Sequence, residues 1–488
     1  MRSAALSAAR LVLLAGPTVL AFFAGGYFDE PRAWAGLGVW ILVAVGVLAQ
    51  PRPLPRGRGA WLAIGGLGGL AAWTLLSIAW APIAGDAYHA GQIAVLYLGA
   101  LVAATVLLRT GAAGRAVEPA LAVGTLIVIG YGISERLLPG LLNFARSVSA
   151  QGRLEQPLTY WNAMGELAAL GFVLCARIAG DAARPARLRI PAAAACPPLG
   201  LGLYLTFSRG ALFACAAGVV ALIVVGGQRE QLWAIVVAVA AGALAALAAA
   251  PFHGVTSLAG AQSTRERQGA ITLGLLAVIV LAAGFVQWRL VRREQPATLR
   301  LPRRAPLIAP VAICAGLALA IVVGAKESST QSQALSAGAT RYVTFKSNRY
   351  AYWRVALRAF EAEPLRGVGA GGWAVYWLRL RPIDEGAQDA HSLPFQTAAE
   401  LGLVGLALLA AFLAGIALAA RDAYRIAPAQ AAGPIAAVVV YVAHAPLDWD
   451  WQMPAVTLVA LVLGGALLAL GEPAGPDRRH PQRGLSPA

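Results

Sequence analysis

The 488-residue sequence contains few charged residues. Only 13% of its residues are charged, against about 25% in an ordinary soluble domain, and 59% are apolar. A water-soluble domain of this length could not bury so much apolar surface. The composition therefore excludes a soluble enzyme, a disordered protein and a fibrous repeat, and it indicates a polytopic helical membrane protein.

Cysteines and nucleotide-binding motifs are also scarce. The four cysteines, Cys175, Cys196, Cys215 and Cys314, lie in apolar runs without a C-x-x-C spacing. We interpret them as small buried hydrophobic residues and predict neither a disulfide framework nor a cysteine metal site. The sequence has no P-loop and no Rossmann glycines, so we expect no cofactor and no ATP-driven step on the cytoplasmic side.

Basic residues outnumber acidic ones, and the formal net charge is +16. The arginines stand mostly in short loops between apolar runs, and the sequence has neither a basic tail nor an RNA-binding signature. This distribution is typical of the cytoplasmic loops of a membrane protein. We therefore predict membrane lipids as partners and no nucleic acid.

Apolar runs of about 18–22 residues, the length that a helix needs to cross a bilayer, recur along the whole chain. We predict an all-α polytopic protein with about 12–14 transmembrane helices, the lower number applying if short runs pair as re-entrant segments. The runs are 11–28, 33–50, 60–80, 90–108, 117–135, 161–180, 190–207, 210–228, 231–250, 269–288, 305–325, 395–420, 431–446 and 454–471.

The arginine distribution predicts an orientation in the cytoplasmic (inner) membrane, with both termini in the cytoplasm. The predicted organisation is a set of N-terminal transmembrane helices, a large extracytoplasmic loop, a set of C-terminal transmembrane helices and a disordered cytoplasmic tail. These regions cover residues 1–325, 326–394, 395–471 and 472–488, respectively.

The long loop has a pattern of its own. Its periodicity predicts an amphipathic helix over 349–363, which Pro364 ends. A flexible glycine turn over 367–373 and a second short helix over 373–381 are predicted to follow. A structured loop with several arginines on the outer membrane face is a candidate functional site.

Arg209, in TFSRGA (206–211), falls where two apolar runs almost meet. An arginine at membrane depth costs several kcal/mol unless something pairs with it. It could be a clamp for a phosphate anion, which guanidinium binds through two parallel hydrogen bonds. It could equally be an interfacial arginine that orients its helix.

The loop carries a second basic set, consisting of Arg341, Lys346, Arg349, Arg354 and Arg358. Arg354 and Arg358 are four residues apart on the predicted helix and so share a face. One or two of these side chains could hold a diphosphate. The alternative is a basic loop that lies on anionic lipid headgroups.

His391 stands where the loop re-enters the membrane, beside polar residues. An imidazole at that position could accept a proton from a sugar hydroxyl near neutral pH. The alternative is an interfacial histidine that only hydrogen-bonds the backbone.

The segment HAPLDWDWQ (444–452) places Asp448, Trp449 and Asp450 on the last outer hairpin. The tryptophan suits a membrane belt or a platform on which a sugar stacks. The D-x-D spacing is a weak signal for a divalent cation. We favour pairing of the two carboxylates with loop arginines and predict no metal.

The segment GRLEQPLTYWNAMGE (152–166) contributes Arg153, Tyr160 and Asn162 at a further outer boundary. These polar and amphipathic side chains suit contact with a glycan or a headgroup. Glu166 lies just inside the next span, where we expect it to face a polar cavity.

Together these segments resemble the O-antigen ligase/polymerase superfamily of bacterial membrane glycosyltransferases, most specifically over 150–225 and 340–455. The Ser-Arg-Gly of TFSRGALFACAAGVVAL and the loop RYAYWRVALRAFEAEPLRGVGAGGW are similar to family segments. His391-Ser392, nine residues, Gly402, two residues and Gly405 match the ligase pattern of the family.

The resemblance implies transfer of a glycan from undecaprenyl diphosphate to a hydroxyl of an acceptor glycan, lipid or protein on the outer membrane face. In this family the reaction inverts the sugar configuration and needs neither a metal nor a nucleotide sugar. Arginines grip the diphosphate, which fits Arg209 with Arg349 or Arg354. The loop histidine activates or orients the acceptor, which fits His391.

Two other functions fit parts of this pattern. A polymerase of the same superfamily would carry similar segments, although the ligase pattern favours a ligase. A lipid-linked glycan transporter should show ionisable residues in mid-span and repeated halves, whereas here the polar residues concentrate at one membrane face.

Overall fold

The computed structural model describes residues 2–51, 53–109, 111–294 and 347–472, with four isolated positions between the last two ranges. Arg341, Lys346, Cys314 and the tail after residue 472 lie outside the described residues, and so does the predicted span 305–325 except for three of these isolated positions. The α-helices are α1 (Arg2–Ala21), α2 (Asp29–Ala49), α3 (Arg58–Leu76), α4 (Ala84–Leu107), α5 (Gly111–Leu137), α6 (Trp161–Gly180), α7 (Ala186–Leu205), α8 (Arg209–Gly226), α9 (Arg229–Ala249), α10 (His253–Thr256), α11 (Gln262–Arg292), α12 (Arg349–Ala362), α13 (Gly372–Leu380), α14 (Leu393–Ile426), α15 (Pro428–His444) and α16 (Pro454–Leu470).

The helices confirm the predicted all-α membrane architecture. Among the described residues, eleven helices are long and apolar enough to cross a membrane, and α15 and α16 are shorter apolar helices. These eleven and two account for thirteen of the fourteen predicted runs. The remaining run is the one that lies outside the described residues except for isolated positions. Cys175, Cys196 and Cys215 are buried within the helices, as predicted.

Helix α6 lies at the centre of the bundle. Every residue from Asn162 to Gly180 is buried, and the helix packs against α5, α7, α8, α9 and α15. Small residues allow this close packing, since a Cβ at Gly165 would lie only 2.8 Å from the Cβ of Ala211. The start of α6 is thus held against the start of α8, which brings Asn162 close to Arg209.

The described part of the long loop folds onto α14 around an aromatic core. Trp373 and Trp377 of α13 are completely buried, with ring centroids 5.5 Å apart. Trp353 of α12 stacks on Phe395 of α14 at 5.4 Å. Such rings bury a large apolar area with few rotatable bonds, so the loop is rigidly attached to the bundle.

The glycine segment between α12 and α13 is docked, whereas the sequence predicted a flexible turn. Gly367, Gly369 and Gly371 have φ angles of 71°, 91° and 74°, which L side chains rarely adopt. A Cβ at Gly367 would lie 2.3 Å from the carbonyl of Glu400. The glycines are therefore required for close backbone contact with α14.

Helix α14 is interrupted at Gly402, so backbone carbonyls just before this residue are free to accept hydrogen bonds from the glycine segment. That residue has φ 65° and ψ −159° inside an otherwise helical run. Val368 N–H donates to Ala399 O at 2.9 Å before the break, and Leu403 N–H donates to Pro364 O at 2.9 Å after it. The loop thus supplies the hydrogen bonds that the interrupted helix lacks.

We predict that Gly402→Ala destabilises the protein by about 1–3 kcal/mol, because the left-handed conformation penalises a Cβ. The new Cβ would also lie 2.4 Å from Leu365 O. Thermal or denaturant unfolding of the purified protein measures the effect. Gly130→Ala is the matched control, since its Cβ meets nothing within 4 Å in a regular helix. Equal stability of the two variants would contradict the structural role of the break.

Candidate active site

A cavity of about 610 Å³ lies where the loop meets the bundle. Its walls are the starts of α6, α8 and α12, the chain just before α14, and the hairpin between α15 and α16. The structure brings seven of the predicted site residues to this cavity, and these are Arg153, Tyr160, Asn162, Arg209, Arg349, His391 and Trp449.

Arg209 is the first residue of α8 and lines the cavity half-buried. Ser208 caps the helix, and its Oγ accepts a hydrogen bond from Ala211 N–H at 3.2 Å. A helix N-terminus carries a partial positive charge and exposed N–H groups, and the guanidinium adds a full charge. Of the two interpretations of Arg209, the clamp for an anion suits this position better.

Arg349 approaches the same cavity from the loop. It forms an ion pair with Asp448, which is 1% exposed. Asp448 also accepts hydrogen bonds from the Tyr160 hydroxyl at 2.6 Å and from Trp449 N–H at 2.9 Å. Asn162 Nδ2 in turn donates to the Tyr160 hydroxyl at 2.7 Å. Asp448 therefore joins the loop, the hairpin and the start of α6 in one network.

The charge state of Asp448 follows from its partners. Burial raises the pKa of its carboxyl, whereas the guanidinium of Arg349 and the hydrogen bond from Tyr160 lower it, and the resulting pKa lies below the ordinary value. Asp448 is thus ionised at neutral pH. Its predicted pairing with a loop arginine is present, and Asp448 lies behind Arg349 and not on the cavity wall.

His391 adopts a left-handed backbone conformation, with φ 50°. Its Nδ1 lies 2.9 Å from Asp389 O, so Nδ1 is the donor and Nε2 is left as the basic nitrogen. The ring packs against Tyr352, with centroids 5.0 Å apart. Strained backbone of this kind is concentrated at functional sites, where the surrounding structure holds a side chain in place.

The surroundings keep His391 neutral. Burial lowers the pKa of its imidazole and the charge of Arg349 lowers it further, while the carboxylate of Asp448 raises it. The net pKa lies below the ordinary value for histidine. A neutral imidazole near pH 7 can accept a proton.

The family comparison agrees with this geometry. Residues 252–410 match the family model described as O-antigen ligase. The resemblance to the O-antigen ligase/polymerase superfamily is confirmed. The match contains Arg349, His391 and Gly402, while Arg209 and Asp448 lie outside it. No curated protein matches the chain. The family match therefore indicates an O-antigen ligase/polymerase-like membrane enzyme.

Two of the predicted arginines do not reach the cavity. Arg354 and Arg358 are exposed on the outer face of α12. Arg354 Nε donates to Tyr350 O at 3.4 Å, within its own helix. Arg354 and Arg358 do share one face of α12, as their spacing of four residues predicted, but this face is opposite the aromatic core. Their predicted contact with substrate therefore finds no support in the structure.

Arg153 reaches the cavity with part of its guanidinium hydrogen-bonded to the protein. Its guanidinium lies 3.7 Å from the centroid of the Trp161 ring, and it donates to Ala150 O and Ser149 O, both at 2.9 Å. This guanidinium shapes the cavity wall and presents the aromatic ring beneath it.

Asp450 takes a different position from the one predicted. It is 1% exposed and contacts His444, not a loop arginine. Glu166 also lies against His444, at 3.3 Å from Nδ1, and is completely buried, although we expected it to face a polar cavity. These three are the one group of donor residues in the described part of the chain with metal-ligand spacing.

The sequence interpretation missed some lining residues. Asp389 lines the cavity two residues before His391, and burial raises the pKa of its carboxyl to about 6. Asn348, Tyr352 and Glu385 also line it. Of these residues, only Asp389 could have been recognised from the sequence, because it is an acidic residue two positions before His391.

We predict that two substitutions move the pKa of His391 in opposite directions. Arg349→Gln removes a cation and should raise it, whereas Asp448→Asn removes an anion and should lower it. NMR titration of the histidine signals measures the shift, and His391→Gln identifies the resonance. Shifts of the same sign, or no shift in either variant, would show that these charges do not control the imidazole.

Proposed function

We propose that the protein transfers a glycan from undecaprenyl diphosphate to an acceptor hydroxyl, as an O-antigen-ligase-like enzyme. The observation that carries this proposal is that Arg209, Arg349 and His391 line one cavity. The first two supply positive charge for a diphosphate, and the third supplies a base for a hydroxyl. The family match supports the same class of substrates.

The two arginines would stabilise the leaving group. During transfer the bond between the anomeric carbon and the phosphate oxygen breaks, and the diphosphate leaves with the electron pair. Guanidinium groups that are already fixed stabilise this developing charge without reorganisation. The ion pair with Asp448 holds the guanidinium of Arg349, and Arg209 is the first residue of α8. In this mechanism no metal ion contacts the diphosphate.

His391 would act on the acceptor. The acceptor oxygen attacks the anomeric carbon from the side opposite the diphosphate and transfers its proton to Nε2 of the neutral imidazole. A single displacement of this kind inverts the anomeric configuration. The rings of Tyr160 and Trp449, 4.5 Å apart, provide an aromatic wall for the sugar.

The arrangement also suggests an orientation in the membrane. We infer that the cavity faces the outer side of the cytoplasmic membrane, where lipid-linked glycans are presented, and that both termini are cytoplasmic. The concentration of arginine in the loops at the opposite end of the bundle supports this orientation. The donor would enter laterally from the surrounding lipids.

The acceptor determines whether the enzyme is a ligase or a polymerase. We favour a ligase because the residues from His391 to Gly405 match the ligase pattern. A ligase transfers the glycan once to a different acceptor, whereas a polymerase extends another copy of the donor. The length distribution of the product separates the two.

The proposal predicts loss of transfer in two variants. His391→Gln should reduce kcat by about 10²–10⁴-fold, because the base is lost. Arg209→Gln should reduce it by about 10²–10³-fold, because leaving-group stabilisation is lost. Both are measured on protein in nanodiscs with undecaprenyl-diphosphate glycan and a panel of acceptors.

Arg379→Gln is the control, because Arg379 is an exposed arginine of the same loop and lies outside the cavity. It should retain the wild-type rate. Full activity of folded His391→Gln and Arg209→Gln proteins would rule out the proposed chemistry. Activity loss equal to theirs in Arg379→Gln would point to a general effect of the loop charge.

A further inference from the structure

Three ionisable side chains from three parts of the chain meet beneath the cavity. Glu166 comes from α6, His444 ends α15, and Asp450 belongs to the following hairpin. One donor atom from each lies within 4.8 Å of the others. Glu166 and His444 are 0% exposed and Asp450 is 1% exposed. The proposed transfer mechanism uses none of these groups.

Three of the four carboxylate oxygens in this cluster lack hydrogen-bond partners among the described residues. Among the described residues, neither carboxylate oxygen of Glu166 has a hydrogen-bond partner, and Oδ1 of Asp450 has none either. Buried carboxylates are normally neutralised by an ion pair, a set of donors or a metal. Arg349, one of the cations that line the cavity above, is already paired with Asp448. With both carboxylates deprotonated and the imidazole neutral, as metal ligands would be, the cluster would carry two negative charges, which one divalent cation balances.

We propose that Glu166, His444 and Asp450 bind one divalent transition-metal ion of the Zn²⁺ or Mn²⁺ class. One imidazole nitrogen with two carboxylates suits these ions, whereas Ca²⁺ and Mg²⁺ favour oxygen ligands alone. His444 Nδ1, which now contacts Asp450, would become a ligand, and the unpartnered oxygens would complete the coordination shell. A bidentate carboxylate would bring the number of ligand atoms to four.

The surrounding residues support the ligand positions. Thr457 Oγ1 donates to the backbone carbonyl of Asp450 at 3.0 Å, and the Tyr441 hydroxyl lies 3.0 Å from the same Oγ1. His444 packs on the first turn of α8, where a Cβ at Gly210 would lie 3.0 Å from Nε2. The ion would therefore hold α6, the hairpin and the start of α8, which carries Arg209, in place. It would contact no substrate.

The cavity lies next to the proposed site. Asn162 lines the cavity, and Glu166 follows four residues later, which is about 6 Å along the helix. Asp450 directly follows Trp449, another lining residue. The site thus lies one helical turn below the cavity floor.

Metal analysis of the full-length protein in nanodiscs tests this inference without a transfer assay. The protein is stripped with a chelator, reloaded with Zn²⁺, desalted and analysed by mass spectrometry of the metal. Wild type should retain about one Zn²⁺ per chain, whereas Glu166→Gln and His444→Gln should bind at least about tenfold less. Glu400→Gln is the control, because Glu400 is also a buried glutamate of a membrane helix.

Two results would overturn the inference. One is a wild-type protein that retains no stoichiometric metal, which would leave a cluster of shared protons. The other is equal Zn²⁺ in all four proteins, which would place the metal elsewhere. X-ray absorption of the Zn²⁺-loaded wild type needs no variant, and it should show nitrogen and oxygen ligands at about 2.0–2.2 Å. Sulfur ligands would contradict the assignment.

Discussion

The ion pair between Arg349 and Asp448 joins the long loop to the last helical hairpin, and the cavity depends on that connection. A buried carboxylate without a cation would be expensive, so the loop and the hairpin stabilise each other by meeting there. The same carboxylate accepts the hydroxyl of Tyr160 and lies near His391. The buried carboxylate of Asp448 thus helps to position Arg349, Tyr160 and His391 around the same cavity.

Gly402 supports this arrangement from the side of the membrane helix. The break it introduces in α14 offers backbone carbonyls to the glycine segment of the loop, which positions α12 and with it Arg349. His391 stands at the start of the same helix. The spacing from His391 to Gly402 therefore corresponds to a physical length, the short helical segment between the base and the docking point of the loop.

The sequence predicted the architecture well because apolar length and helical periodicity are local properties. It also predicted the cavity residues Arg209, Arg349 and His391, since costly or unusual residues at a membrane boundary stand out. Helix periodicity could not distinguish Arg349 from Arg354 and Arg358, because the face that packs is decided by the distant partners Trp373 and Asp448. The partner of Asp450 was predicted wrongly because it also depends on tertiary contacts. Asp450 contacts His444 only once the hairpin has folded.

We propose that Arg209 and Arg349 hold the two ends of one diphosphate beside His391. The most direct measurement is a cryo-electron microscopy structure of the protein in nanodiscs with undecaprenyl diphosphate. We predict density for the diphosphate between these two guanidinium groups, on the side of the cavity that His391 faces. Diphosphate bound instead on the exposed face of α12, at Arg354 and Arg358, would contradict the account.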